Sequence, residues 1–155
     1  MKKGLLIVVS GPSGVGKGTI MRQIDSENDN MFYSISATTR QPRAGEVDGV
    51  HYLFITHEDF KQRISETRML EYAEYCGNYY GTPLDIIEKQ LSEGHEVVLE
   101  IEVQGAKQVM EKRPDAITIF MIPPSFEELE SRIRGRRSEP EDIVQQRLSK
   151  ARLIM

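Results

Sequence analysis

The chain is poor in the residues that build disulfide or metal scaffolds. Its one cysteine in 155 residues, Cys76, excludes an internal disulfide and suits a reducing compartment. No basic residue stands beside Cys76 in sequence to activate it, so it is expected to be a packing residue rather than a nucleophile. The three histidines, His51, His57 and His95, lack metal-ligand spacing and are expected at or near the surface. No apolar run approaches the roughly 20 residues that a membrane span requires. The apolar part of MKKGLLIVVSG is too short, and too soon broken by glycines, for a signal peptide. Positive charge is not in excess either: 20 Lys and Arg against 24 Asp and Glu leave a net charge of −4, which argues against a general nucleic-acid binder. There is no internal repeat and no low-complexity tract. These absences leave a cytoplasmic domain of ordinary size with room for a small insert.

What is present is glycine, concentrated near the start. The stretch SGPSGVGKGT, Ser10 to Thr19, follows the apolar run Leu5-Leu6-Ile7-Val8-Val9 and precedes the helical spacing of Thr19 to Ile24. Strand, glycine loop and helix therefore come in that order. Gly11, Pro12, Ser13, Gly14, Val15, Gly16 and Lys17 fit the first seven positions of G-x-x-x-x-G-K-[ST]. Glycines let successive backbone N–H groups turn inward around an anion, the helix N-terminus adds partial positive charge, and Lys17 adds a whole one. A polyphosphate fits this cradle. Gly18 stands where a metal-ligating hydroxyl is usual and the hydroxyl comes at Thr19, so direct metal ligation by the loop is not expected.

Three strongly apolar strands start near residues 5, 96 and 116, each leading into a helix. They predict a parallel α/β core with all three strands buried. The stretch FYSISA (32–37) predicts a short strand, VHYLFI (50–55) another, and MLEYAEYCGNYYGTP a hairpin turning at Gly77-Asn78. Helices are expected over HEDFKQRISE, PLDIIEKQLSEG, VQGAKQVMEK, PSFEELESRIRGR and the last 17 residues. The segment of about 34–94 has more strand character and fewer long apolar runs, as an insert covering the phosphate loop would.

Several side chains suit nucleotide chemistry. Arg40 and Arg43 flank Pro42, and arginine forks match phosphate oxygens two at a time; the plain alternative is a solvated surface pair. Tyr52 and the pair Tyr79-Tyr80 can give hydroxyls to the same phosphate. Ser36, Glu71 and Thr82 can supply hydrogen bonds to a base. A carboxylate only accepts, and guanine offers N1–H and a 2-amino group side by side, a donor pair that adenine lacks; Glu71 otherwise reads as an exposed acid on an edge strand. Glu100 and Glu102 close an apolar strand, two apart and so on one face. An acid at that end can hold the waters around Mg²⁺, an arrangement that resembles Walker B. Arg132, Arg134, Arg136, Arg137 and Arg147 crowd one region broken at Gly135 and Pro140. Arg132 and Arg136 are spaced to share a helix face, a costly pairing unless an anion comes between them. A mobile lid over about 126–147 would deliver arginines in this way; the alternative is a surface helix balanced by Glu127, Glu128 and Glu130.

Taken together, SGPSGVGKGT, SATTRQPRAGEVDG, LEYAEYCGNYYGTP and LEIEVQGAKQV resemble guanylate kinase, from Leu5 to about Ile154. The resemblance implies an α/β fold: a P-loop, NMP-kinase-like parallel sheet core over 1–33 and 95–155, a mixed α+β GMP-binding insert over 34–94, and a helical lid. It implies ATP and GMP as substrates with Mg²⁺ as cofactor. Ser36, Glu71 and Thr82 would read guanine with Glu102 joining them, and Arg40, Arg43, Tyr52 and Tyr80 would hold the GMP phosphate. Lys17, Arg132, Arg136 and Arg147 would stabilise the transferring phosphoryl, with Glu100 near the metal. The family usually has glycine where this chain has Arg137, and its members usually continue past Met155. A guanylate-kinase-like binding module without catalysis, or an inactive truncated form, is the alternative.

Overall fold

A computed structural model describes residues 2–135 and 139–155 of the chain. The first half contains β1 (Leu6–Ser10), α1 (Lys17–Glu27), β2 (Met31–Tyr33), β3 (Ala37–Thr38), β4 (Leu53–Phe54) and α2 (His57–Ser65). The hairpin β5 (Met69–Tyr75) and β6 (Asn78–Pro83) follows, then α3 (Leu84–Ser92), β7 (Glu96–Glu100) and α4 (Val103–Lys112). The last elements are β8 (Ile117–Phe120), α5 (Phe126–Gly135) and α6 (Glu141–Ile154).

One sheet has the order β2-β7-β1-β8, with all its pairs parallel. Its central strands are continuous apolar runs because helices cover both faces. Leu6, Val8, Val97 and Leu99 point to one side, where Ile87 and Leu91 of α3 and Ala106 and Val109 of α4 meet them. The alternate residues Val9 and Val98 point to the other side and pack on Met21 of α1. The second sheet has the order β4-β3-β6-β5. Its β3–β6 and β5–β6 pairs are antiparallel, and Ala37 and Met69 bury Phe60 of α2. Leu70 of β5 joins the first cluster, so the two sheets share core. A third cluster joins Val15 of the phosphate loop to Leu129 and Ile133 of α5 and to Val144, Leu148 and Ala151 of α6. Capping follows the local sequence: Thr56 accepts from Asp59 N–H at 3.1 Å and Ser125 from Glu128 N–H at 3.1 Å.

Four expectations are corrected. The run FYSISA is two strands, β2 in the parallel sheet and β3 in the other, because the chain leaves one sheet for the next between Tyr33 and Ala37. The hairpin turns at Cys76-Gly77, with Tyr75 opposite Asn78. Cys76 takes φ 51° and Gly77 φ 79°, as a two-residue primed turn requires. Cys76 is therefore exposed at a hairpin tip rather than packed. Finally, β8 is exposed along all its residues. Among the described residues it pairs with β1 on one side and with no strand on the other, and Ile117, Ile119 and Phe120 stay 46, 47 and 41 % exposed.

Candidate active site

The phosphate loop springs from the carboxyl end of β1, and α1 begins at Lys17. Gly16 caps that helix at φ 100°, in the left-handed region that glycine enters without penalty. The first turn of α1 contains no acidic residue, so no carboxylate of its own offsets the partial positive charge of its N–H groups. Lys17 Nζ donates to the carbonyls of Gly11 at 2.7 Å and Pro12 at 3.1 Å. Gly14, at φ 86°, lets α5 approach: a Cβ there would lie 2.8 Å from Ile133 Cγ1. Arg132 Nη1 donates to the Val15 carbonyl at 2.9 Å, so the expected lid helix is seated directly on the loop. Arg147 pairs with Glu139 at 3.1 Å. Arg136 lies outside the described residues.

Glu100 ends β7 beside the loop, its Oε1 3.7 Å from where a Cβ on Gly18 would stand. It accepts a hydrogen bond from the Tyr33 hydroxyl. Burial raises the Tyr33 pKa, and the hydrogen bond to Glu100 and that residue's negative charge add to the rise. Glu100 and Glu102 do not share a strand face, because β7 stops at Glu100 and Glu102 is the N-cap of α4. Glu102 instead reaches out to Lys150 at 3.0 Å and is exposed.

The second sheet gathers the expected phosphate ligands. Arg40 presents its fork to Glu46, Nη1 to Oε1 at 2.8 Å and Nη2 to Oε2 at 3.0 Å. The Arg43 backbone N–H donates to the same carboxylate at 2.7 Å. These donors hold the Glu46 carboxyl down to about 2, Arg40 having the larger effect. The Arg40 guanidinium also lies 5.3 Å from the Tyr52 ring centre and is raised in pKa by Glu46 first, with Tyr80 adding. Tyr52 and Tyr80 meet edge to face at 6.3 Å. Tyr79 departs from this group, since alternation along β6 turns it onto Phe60, stacked at 5.1 Å. The Arg43 side chain is exposed.

Glu71 and Thr82 face each other across the β5–β6 ladder. Both are buried, at 6 and 1 % exposure, and Thr82 Oγ1 donates to Glu71 Oε1 at 2.7 Å. The edge-strand reading of an exposed acid is therefore excluded. Burial pushes the Glu71 carboxyl pKa up, against the pull of the Thr82 hydroxyl and of Lys112. Ser36, half-buried just before β3, uses its carbonyl to accept from Leu53 N–H at 2.9 Å.

The structure brings Arg40, Tyr52 and Tyr80 together, pairs Glu71 with Thr82, and sets Arg132 and Lys17 on the loop. It turns Glu102 outward. Two residues absent from the sequence expectations support the site: Glu46, which holds Arg40, and Tyr33, which holds Glu100. Glu46 was legible in principle, as an acid six residues after an arginine in one turn-rich loop. Tyr33 meets Glu100 across 67 positions, and no local pattern marks that. Among the described residues no three His, Cys, Asp or Glu side chains gather closely enough to cage a metal ion. No helix among them is long and apolar enough to cross a membrane.

A family model described as guanylate kinase matches residues 3–155. The guanylate kinase of Bacillus anthracis is 55 % identical over 152 residues, which cover 97 % of this chain and 74 % of that protein. That of Clostridium perfringens strain 13 is 58 % identical over 143 residues, 92 % of this chain and 66 % of its own length. Among solved structures, guanylate kinase from Anaplasma phagocytophilum superposes with a TM-score of 0.70 at 33 % identity, covering 99 % of this chain and 71 % of that one.

Proposed function

The chain belongs to the guanylate kinase family and is an ATP:GMP phosphotransferase, and we propose that it reads guanine with Glu71 and Thr82 and clamps the GMP phosphate with Arg40, Arg43, Tyr52 and Tyr80. The observation that carries this reading is the buried Glu71–Thr82 pair, in the same sheet as the Arg40–Tyr52–Tyr80 cluster. A carboxylate is kept dry there at a cost in free energy, and a ligand with two adjacent donors offsets it. Ser36 completes the base contacts, and Glu102 swings in from Lys150 to join them. The segment 34–94 serves as the GMP-binding insert, with 1–33 and 95–155 as the core and about 126–147 as the lid.

A GMP phosphate oxygen attacks the γ-phosphorus of ATP in line. The new O–P bond forms as the bond from that phosphorus to the β,γ-bridging oxygen breaks, and ADP leaves with those electrons. No covalent enzyme intermediate is required. Residues 11–19 cradle the donor phosphates, while Lys17, Arg132, Arg136 and Arg147 balance the charge that spreads over the transferring group. Enzymes of this class generally need a divalent metal, and Mg²⁺ is the ion proposed. A single carboxylate beside the loop suits an ion that keeps several waters and is held mostly by substrate phosphates. Glu100, fixed by Tyr33, would orient those waters. Bound there, the ion would supply charge neutralisation for the donor phosphates. The protein acts in the cytoplasm. Formation of GDP from GMP and ATP, followed by ³¹P NMR, tests the proposal: turnover is expected to stop with EDTA and return with Mg²⁺, and equal use of AMP would overturn the guanine reading.

The raised Glu71 pKa predicts a pH dependence. Guanine needs the ionised carboxylate, so GMP binding should weaken as pH falls, starting above the ordinary carboxylate value of about 4.3. Folding responds with the opposite sign. A folded-state pKa above the unfolded one means that the folded chain binds more protons in that window, so Glu71's contribution to stability rises as pH falls. Calorimetric titration of GMP across pH should show this limb, and Glu71→Gln should remove it while leaving the titration of the GMP phosphate itself.

A further inference from the structure

Glu71 reaches α4 at a position where that helix has no side chain. Its Oε1 is taken by Thr82, and its Oε2 lies over Gly105, in the first turn of α4. A Cβ built on Gly105 would stand 2.7 Å from Oε2 and 3.1 Å from Cδ of Glu71, and 3.4 Å from Ile101 Cδ1. The first of these is a separation that real Cβ atoms essentially never show. Gly105 has ordinary helical backbone and is not among the positive-φ glycines, so its conformation gives no reason for glycine. Inside a helix glycine is disfavoured relative to alanine.

The strand bearing Glu71 has little freedom to make room. Gln108, three residues after Gly105 on the same helix, accepts from Tyr72 N–H at 3.1 Å and donates to the Tyr72 carbonyl at 2.9 Å. It thereby makes the two bonds that a neighbouring strand would make to the edge of the sheet. Lys112 Nζ donates to the carbonyls of Leu70 at 2.9 Å and Met69 at 3.3 Å. The backbone on both sides of Glu71 is thus tied to α4. The atoms free to yield to a methyl at 105 are those of the carboxylate itself.

We propose that Gly105 is a specificity-determining residue of the guanine subsite, its bare Cα forming the recess that seats Glu71 Oε2. The proposal rests on the reading of Glu71 as the guanine acceptor. A methyl at 105 meets the end of a flexible side chain, so it is tolerated by the fold but moves the carboxylate off Thr82 and out of line with the base donors.

The test compares Gly105→Ala, Glu71→Ala and the double variant by kcat and KM for GMP and AMP, with melting temperatures. Gly105→Ala is expected to cut the GMP-over-AMP ratio of kcat/KM about tenfold, mainly through KM for GMP. Added to Glu71→Ala, where the clashing carboxylate is gone, the same change should cost less than about twofold. Selectivity lost in Glu71→Ala but kept in Gly105→Ala overturns this proposal alone. An equal penalty in both backgrounds overturns it too, assigning Gly105 to backbone packing. Selectivity that survives Glu71→Ala overturns the guanine reading and this proposal with it. Should Gly105→Ala fail to fold, the double variant decides: recovery supports the recess, and continued failure refutes it.

Discussion

Lys17→Met should lower kcat by about 10²–10³-fold while leaving the fold in place. The lysine occupies the first position of α1, where a cation is disfavoured by the helix dipole, so its removal relieves a small unfavourable interaction. Against that, the carbonyls of Gly11 and Pro12 lose a donor, and at this partly exposed position water replaces it. Methionine preserves most of the unbranched apolar stem. The melting temperature should therefore move by a few degrees at most, while the transferring phosphoryl loses a full positive charge that no other group on α1's first turn supplies. Single-turnover measurement at saturating ATP and GMP separates loss of chemistry from loss of binding. Turnover within a few-fold of the parent would remove Lys17 from the reaction.

The second large effect concerns the base. Glu71→Gln should reduce kcat/KM for GMP by about one to two decades and so shrink the gap between GMP and AMP, chiefly by hurting GMP. Thr82 Oγ1 donates to Oε1 at 2.7 Å, so the new amide will keep its oxygen toward Thr82 and turn its NH₂ to the base. Donor then meets donor at guanine N1–H. IMP, which keeps N1–H but lacks the 2-amino group, should fall between GMP and AMP in the parent. The measurement is kcat/KM for all three nucleotides with both proteins. A GMP value unaffected by the substitution would show that guanine is recognised elsewhere.

The legible parts of this protein are those set by neighbours in sequence. A glycine loop with one lysine between an apolar run and a helix is a local pattern, and its geometry is local too. The central strands announce themselves as unbroken apolar runs because both their faces are covered. The hairpin pairing of Glu71 with Thr82 follows once the turn is placed, although the true turn sits at Cys76-Gly77, where a non-glycine residue accepts a positive φ. The illegible parts depend on what covers an element. Ile117 to Phe120 reads as a buried strand, and composition cannot say that its outer side stays bare. Glu102 continued the strand pattern in sequence, yet β7 ends two residues earlier and sends that carboxylate outward. Gln108 and Lys112 hold residues more than 30 positions away, and nothing near them in sequence marks that role. Gly105 did carry a signal: a glycine within an amphipathic helix asks what lies against it.

Among the described residues the outer edge of β8 is bare, which bears on how this chain behaves as a solute. Its four residues, Ile117 to Phe120, carry no charge, and charged side chains and prolines are what usually keep such an edge from pairing with another chain. The net charge of −4 gives weak mutual repulsion, and salt shortens its reach to about 8 Å at physiological strength. Concentrated solutions should therefore be best preserved at low ionic strength and above neutral pH, and sulfate, which strengthens apolar association, should precipitate the protein early.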